Sequence, residues 1–146
     1  MARRRAEAQA QRLILDSGAV IALSRGDERA RSYLARALEI DADIQIPVVV
    51  LAETLRGGAK DAAVNRVLEA VGHSHATTPE VGRRAGALLG AATRTDVIDA
   101  MVVAEAVERG GGRILTADPN DLRALATRHP DVIVDDLRDQ DSRHRR

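Results

Sequence analysis

The chain has 146 residues, of which 45% are hydrophobic, so it is long enough for one domain with a real core and is not disordered by composition. Its 22 basic and 22 acidic side chains cancel, which argues against a uniformly basic nucleic-acid binder and leaves room for local patches. There is no Cys, Trp or Phe and one Tyr, which excludes disulfides, thiolate catalysis and cysteine-based zinc sites, and argues against base recognition on aromatic platforms. Leu, Val, Ile and Ala must therefore build the core. No secretion signal and no run approaching the ~18 apolar residues of a membrane span is visible, so a soluble, cytoplasmic protein is expected.

Residues 1–11 are polar and Arg-rich and read as a loose arm. Leu13-Ile14-Leu15 is a short buried strand ending at Asp16, after which Ser17-Gly18 turns the chain into a helical stretch. Ala30, Tyr33, Leu34, Ala37 and Leu38 recur at helical spacing and predict an amphipathic helix over about 27–40. A second strand is expected at 43–46, before Pro47. The Val run in 48–56 argues for strand by propensity, but Pro at a first helical position and Gly57-Gly58 as a stop argue for helix, which is the reading adopted. Val64, Val67, Leu68 and Val71 mark another helix, and 73–77 is a candidate short strand. Thr78-Pro79-Glu80 starts a helix that carries Val81, Ala85, Leu88, Leu89 and Ala92 on one face. Residues 95–109 form the most apolar helix, expected at the centre of the fold and ended by Gly110, Gly111 and Gly112. A strand at 113–117, a turn and helix start at Asp118-Pro119-Asn120-Asp121, and a last short strand at 132–134 complete the domain, 12–137, before a charged tail, 138–146. Strands alternating with helices predict an α/β fold with a short, mostly parallel sheet of four to five strands and helices on both faces.

Four acids stand out in this scheme. Asp16 and Asp118 end apolar runs at the carboxyl ends of strands, where open parallel sheets bind ligands. Asp99 interrupts Ile98-Asp99-Ala100-Met101-Val102-Val103-Ala104, where an unpartnered carboxylate carries a desolvation cost. Glu53 projects from the helix after the second strand, and Asp96 shares a helix face with Asp99. Carboxylates gathered on one rim repel one another, and burial and repulsion together keep some of them protonated unless cations bind. Oxygen-only ligands suit hard cations such as Mg²⁺ or Mn²⁺. A pair of such ions about 3.5–4 Å apart can activate water and stabilise the leaving oxygen of a phosphodiester. Each acid also has a plainer reading: Asp16 and Asp96 as helix caps, Glu53 as a solvated helix residue, Asp118 as a turn residue, Asp121 as an early-helix acid.

At these residues the chain resembles the PIN-domain family, in particular the toxin ribonucleases of VapBC-type toxin–antitoxin pairs. Leu15-Asp16-Ser17-Gly18-Ala19 resembles the opening motif, Val50-Leu51-Ala52-Glu53-Thr54-Leu55-Arg56-Gly57 the second, Ile98 to Ala104 the third, and Ile114-Leu115-Thr116-Ala117-Asp118-Pro119-Asn120-Asp121-Leu122 the fourth. The likeness runs from about 13 to 135. It departs from the family pattern at Leu122, where an aromatic often stands, at the extra acid Asp96, and in the Arg-rich arm. The resemblance implies a three-layer α/β sandwich and a Mg²⁺- or Mn²⁺-dependent endoribonuclease with one or two ions held by Asp16, Glu53, Asp99 and Asp118, with Asp96 a further ligand candidate. It implies supporting roles for Ser17, Thr116 and Asp121, a homodimer, and inhibition by a cognate antitoxin. RNA approaching such a pocket needs cationic contacts to phosphate, and Arg25, Arg29, Arg56 and Arg94 are candidates beside the reading of each as a solvated surface arginine. His73, His75, His129 and His144 share no ligand spacing with the acids. Two other readings stand beside this one: another Mg²⁺-dependent phosphotransfer or phosphatase domain, and a non-catalytic interaction module.

Overall fold

The computed structural model describes residues 12–72, 74–94 and 96–138. Strands β1 (Arg12–Leu15), β2 (Asp43–Gln45), β3 (Gly112–Thr116) and β4 (Val132–Asp136) form one sheet in the order β2-β1-β3-β4, with every pairing parallel. Among the described residues seven α-helices flank it: α1 (Ser17–Ser24), α2 (Glu28–Glu39), α3 (Val48–Thr54), α4 (Ala62–Val71), α5 (Pro79–Ala92), α6 (Val97–Glu108) and α7 (Asn120–Leu125), with one 3₁₀ turn at Ala59–Asp61. The two central strands carry short apolar runs, Leu13-Ile14-Leu15 and Ile114-Leu115, because both their faces are covered. Ile14, Leu15, Ile114 and Leu115 are fully buried. Every buried hydrophobic side chain among the described residues is Leu, Ile, Val or Ala, as the composition requires.

The order of the strands fixes where a ligand can sit. From β1 the chain crosses to β2 on one side, and from β3 it crosses to β4 on the other. The carboxyl ends of β1 and β3 therefore flank the crevice where the winding reverses, which is the usual binding position in open α/β sheets. Leu15 and Leu115 are in register there, and the Asp16 N–H donates to the Leu115 carbonyl at 3.0 Å.

Most sequence boundaries hold to within two residues. The ambiguous 48–56 segment is a helix, with Pro47 as its N-cap residue and Val50 in the core. The apolar segment at 95–109 is α6, buried on nearly every side through Ala100, Val102, Val103, Ala104 and Ala106, as expected of a helix apolar all round. The strand proposed at 73–77 is not found: His73 lies outside the described residues, and 74–77 pair with no strand. Ser74, His75 and Ala76 are exposed and bring no buried side chain to a sheet edge. The Arg-rich arm at 1–11 and the tail beyond Arg138 lie outside the described residues. No helix among the described residues is long and apolar enough to cross a membrane.

Candidate active site

Asp16 is the residue on which the site is built. It occupies the N-cap position of α1 with extended backbone angles, yet its side chain makes no capping bond. Its Oδ2 instead accepts a 2.9 Å hydrogen bond from the Thr116 hydroxyl on the adjoining strand. The same hydroxyl oxygen accepts from the Asp118 N–H at 3.0 Å, so one side chain ties the first and fourth acidic motifs together. Asp16 is only 6% exposed, and its Oδ1 is buried with no partner. Burial pushes its carboxyl above the usual range. The Ser17 N–H and Thr116 oppose the shift, while the charges of Asp96 and Asp118 add to it.

Glu53 arrives from α3. Its Oε1 is also buried without a partner. Burial raises its carboxyl, and the charges of Asp16 and Asp96 raise it further. The Ser17 hydroxyl favours the charged form. Asp99 comes from the first turn of α6 and is pushed up to about 7, by burial first and then by Asp96, Asp16, Asp121 and Glu53. Acids from four separate positions of the sequence thus lie close enough to Asp99 to raise it.

The extra acid has a definite local job. Asp96 Oδ1 accepts from the Asp99 N–H at 2.9 Å, which makes it the N-cap of α6 and sets where that helix begins. The capping reading of Asp96 therefore holds, with Oδ2 left over. Asp121 is engaged too, pairing with Arg94 at 3.0 Å. The proposed phosphate contacts divide. Arg29 donates to the Leu137 carbonyl at 2.8 Å, and Arg56 donates to the carbonyls of Ala52 and Leu55 at the end of α3. Arg25 is exposed and lines a small cleft with Gly18 and Ala117, next to the acidic rim.

Two supporting features are not evident from the motifs. Buried Asp61 accepts from the N–H groups of Arg56 and Gly57 at 2.9 and 2.7 Å, holding the turn that follows Glu53. Its signal in the sequence is an Asp a few residues after a Gly-Gly pair, a pattern suited to side-chain-to-backbone turn bonding. The close approach at Gly18 is the second. A Cβ there would lie 2.8 Å from the Ala117 Cβ and 2.9 Å from the Ala117 nitrogen, so only glycine lets α1 approach the end of β3 this closely.

The donor set fits a hard divalent cation. It consists of oxygens, and two of them, Asp16 Oδ1 and Glu53 Oε1, are buried and unpaired, a costly state that a cation would relieve. Among the described residues no three such groups already close into a ready-made ion site.

The family model of the PIN domain matches residues 13–127. The chain belongs to the PIN-domain family. No curated protein sequence matches this PIN domain significantly. Its fold is shared with solved structures at low identity. A toxin–antitoxin complex from Klebsiella pneumoniae matches at TM-score 0.61 and 21% identity, over 83% of this chain and 95% of that one. VapBC2 from Rickettsia felis, bound to a promoter DNA fragment, matches at TM-score 0.66 and 14% identity, over 86% and 98%. FitAcB from Neisseria gonorrhoeae matches at 0.61 and 20%, over 86% and 97%. The four acidic motifs all lie inside the matched 13–127 segment.

Proposed function

We propose that this PIN domain is a Mg²⁺- or Mn²⁺-dependent endoribonuclease and the toxin of a toxin–antitoxin pair. What supports the proposal is Asp16 at the carboxyl end of β1, tied to Thr116 of β3, with the buried, unpaired oxygens of Asp16 and Glu53 and the raised pKa values of Asp16, Glu53 and Asp99. A bound divalent cation would supply water activation and charge stabilisation at a phosphodiester. The protein's own part is positional. Thr116 orients Asp16 and the Asp118 backbone, Asp96 fixes the start of α6 and hence Asp99, and Asp61 fixes the end of α3 beyond Glu53. Asp16 Oδ1, Glu53 Oε1, Asp99 and Asp118 are the groups that would hold the ion, directly or through water.

The toxin role and the antitoxin partner are supported by the fold neighbours, which include a toxin–antitoxin complex and VapBC2. A homodimer and RNA as substrate are part of the same reading. The phosphatase alternative is disfavoured at Gly18. An aspartyl nucleophile at Asp16 would want a second acid at that position, and Ala117 fills the space. The test is cleavage of RNA by purified, antitoxin-free protein in Mg²⁺ or Mn²⁺, with EDTA, Asp16→Asn and Asp99→Asn as controls. Cleavage lost in all three controls supports the proposal; cleavage that survives EDTA or both substitutions refutes it.

A further inference from the structure

Beside the acidic rim lies a second feature of opposite charge. Helices α5 and α7, with the turn after α7, enclose a cleft of about 520 Å³. Its floor is made of alanines with Leu88 and Leu125, and its rim carries Arg84, Arg94, Arg128 and His129. Among the described residues no acidic side chain lines it. The lining is cationic, with the acids that pair with Arg84 and Arg94 standing outside it.

The cleft and the rim share a residue. Arg94 lines the cleft and reaches Asp121, whose charge in turn acts on Asp99. Its position is held at some cost. Helix α5 ends on Thr93 with φ 51° and ψ 38°, a left-handed conformation that a β-branched residue rarely adopts. That turn folds the chain back so that the Arg94 N–H meets the Leu89 carbonyl at 3.3 Å. Strain of this kind is kept where the surrounding structure needs the residue in place.

The cations are available. Arg84 pairs with Glu108 at 2.8 Å and Arg94 with Asp121 at 3.0 Å, but both pairs are substantially exposed. Exposed pairs contribute little and exchange readily for a better anion. Among the described residues no carboxylate pairs with Arg128. Guanidinium groups favour phosphate through paired N–H donors. From Arg84 to Ala92 the cleft runs roughly 12 Å along α5, at the rise of a helix, with Arg94 just beyond its end. With no Phe, Tyr or Trp among its lining residues and three arginines on its rim, the cleft favours recognition of backbone charge over base stacking.

We propose that this cleft binds the sugar–phosphate backbone of the substrate strand on one side of the scissile bond and leads it past Arg94 onto the acidic rim. The proposal rests on the ribonuclease reading, and its test separates the two. Full-length protein and the exposed-residue variants Arg84→Ala, Arg128→Ala and the double variant are compared in EDTA. Binding of a labelled single-stranded RNA of about 12 nucleotides is followed by anisotropy across a KCl series, with circular dichroism confirming the fold. Removing one phosphate-binding arginine lowers the slope of log K against log salt by about 0.7 for a single strand. The double variant is expected to bind about tenfold more weakly with a slope lower by about 1.4. In Mg²⁺ its KM rises while kcat is retained. An unchanged slope and KM in an active enzyme overturns the cleft and leaves the ribonuclease reading standing. A lowered slope in a protein that cleaves no RNA keeps the cleft as a site for RNA backbone but removes the ribonuclease reading and, with it, the path to a scissile bond. Unchanged RNA binding with weakened affinity for the cognate antitoxin makes the cleft a protein-docking site and overturns the proposal.

Discussion

If Asp99 belongs to a cation site, its charge is a burden to the metal-free fold. Replacing it with Asn removes the charge at nearly constant shape. The pKa of Asp99 lies at about 7 in the folded chain against an ordinary 3.8. Below about pH 4 both folded and unfolded chains hold the proton, and the substitution changes little. Between about 4 and 7 the folded chain keeps a proton that the unfolded chain has released, so the wild type loses stability as pH rises. Above about pH 7 the carboxylate is ionised in both states, and the full penalty applies. At about 1.36 kcal/mol per pH unit the displacement sets a ceiling of roughly 4 kcal/mol. Asp99 is half-buried, and water and salt screen its neighbours, so about 1–2 kcal/mol is the realistic gain for Asp99→Asn at about pH 8. The assay is urea denaturation in EDTA at about pH 4.5 and about pH 8, followed by circular dichroism because the chain has one Tyr and no Trp. Saturating Mg²⁺ should reverse the order, since a ligand at about 100 times its Kd adds about 2.7 kcal/mol to the wild type alone. A variant less stable than wild type at the higher pH in EDTA, or a difference independent of pH, would refute the reasoning.

Three other perturbations probe the framework. Thr116→Val removes the hydroxyl shared by Asp16 and the Asp118 N–H; it should cost about 1–3 kcal/mol in urea unfolding and lower divalent-ion affinity roughly 10- to 100-fold, with Thr116→Ser retaining most of both. Gly18→Ala drives a methyl into Ala117 and should destabilise by about 1–3 kcal/mol; Ala117→Gly should restore only part of that, because the Ala117 nitrogen is as close as its Cβ. Asp61→Ala leaves the Arg56 and Gly57 N–H groups without their acceptor and should lower the urea midpoint by an amount equivalent to about 1–3 kcal/mol, with faster amide exchange at both positions.

The sheet and its acids were legible because parallel strands buried on both faces leave unmistakable apolar runs. Leu13 to Leu15 and Ile114 to Leu115 mark β1 and β3, and Asp16 and Asp118, which follow those runs, fall at the carboxyl ends of the two central strands. Asp99 was legible for the same reason, as a charge inside a buried helix. What local pattern could not give was the partner of each side chain. The Thr116 bond to Asp16 spans 100 positions, and no periodicity announces it. Asp96 was open between cap and ligand because both uses favour an acid before a helix; the bond to the Asp99 N–H decides for the cap at one oxygen. The arginines were the least legible. Arg29 and Arg56 spend guanidinium N–H groups on backbone carbonyls, while Arg84 and Arg128, which the motifs did not mark, line the cationic cleft. The expected strand at 73–77 shows the opposite error, since residues 74–77 pair with no strand.

The cleavage proposed for this chain requires the acids at the switch point to form a divalent-cation site. Calorimetric titration of Mn²⁺ into the antitoxin-free protein at about pH 8 tests that requirement most directly. Saturable binding is predicted, weakened at least about tenfold by Asp16→Asn and by Asp99→Asn in proteins that remain folded. Binding unchanged by both substitutions, or no binding by the wild type, would contradict it.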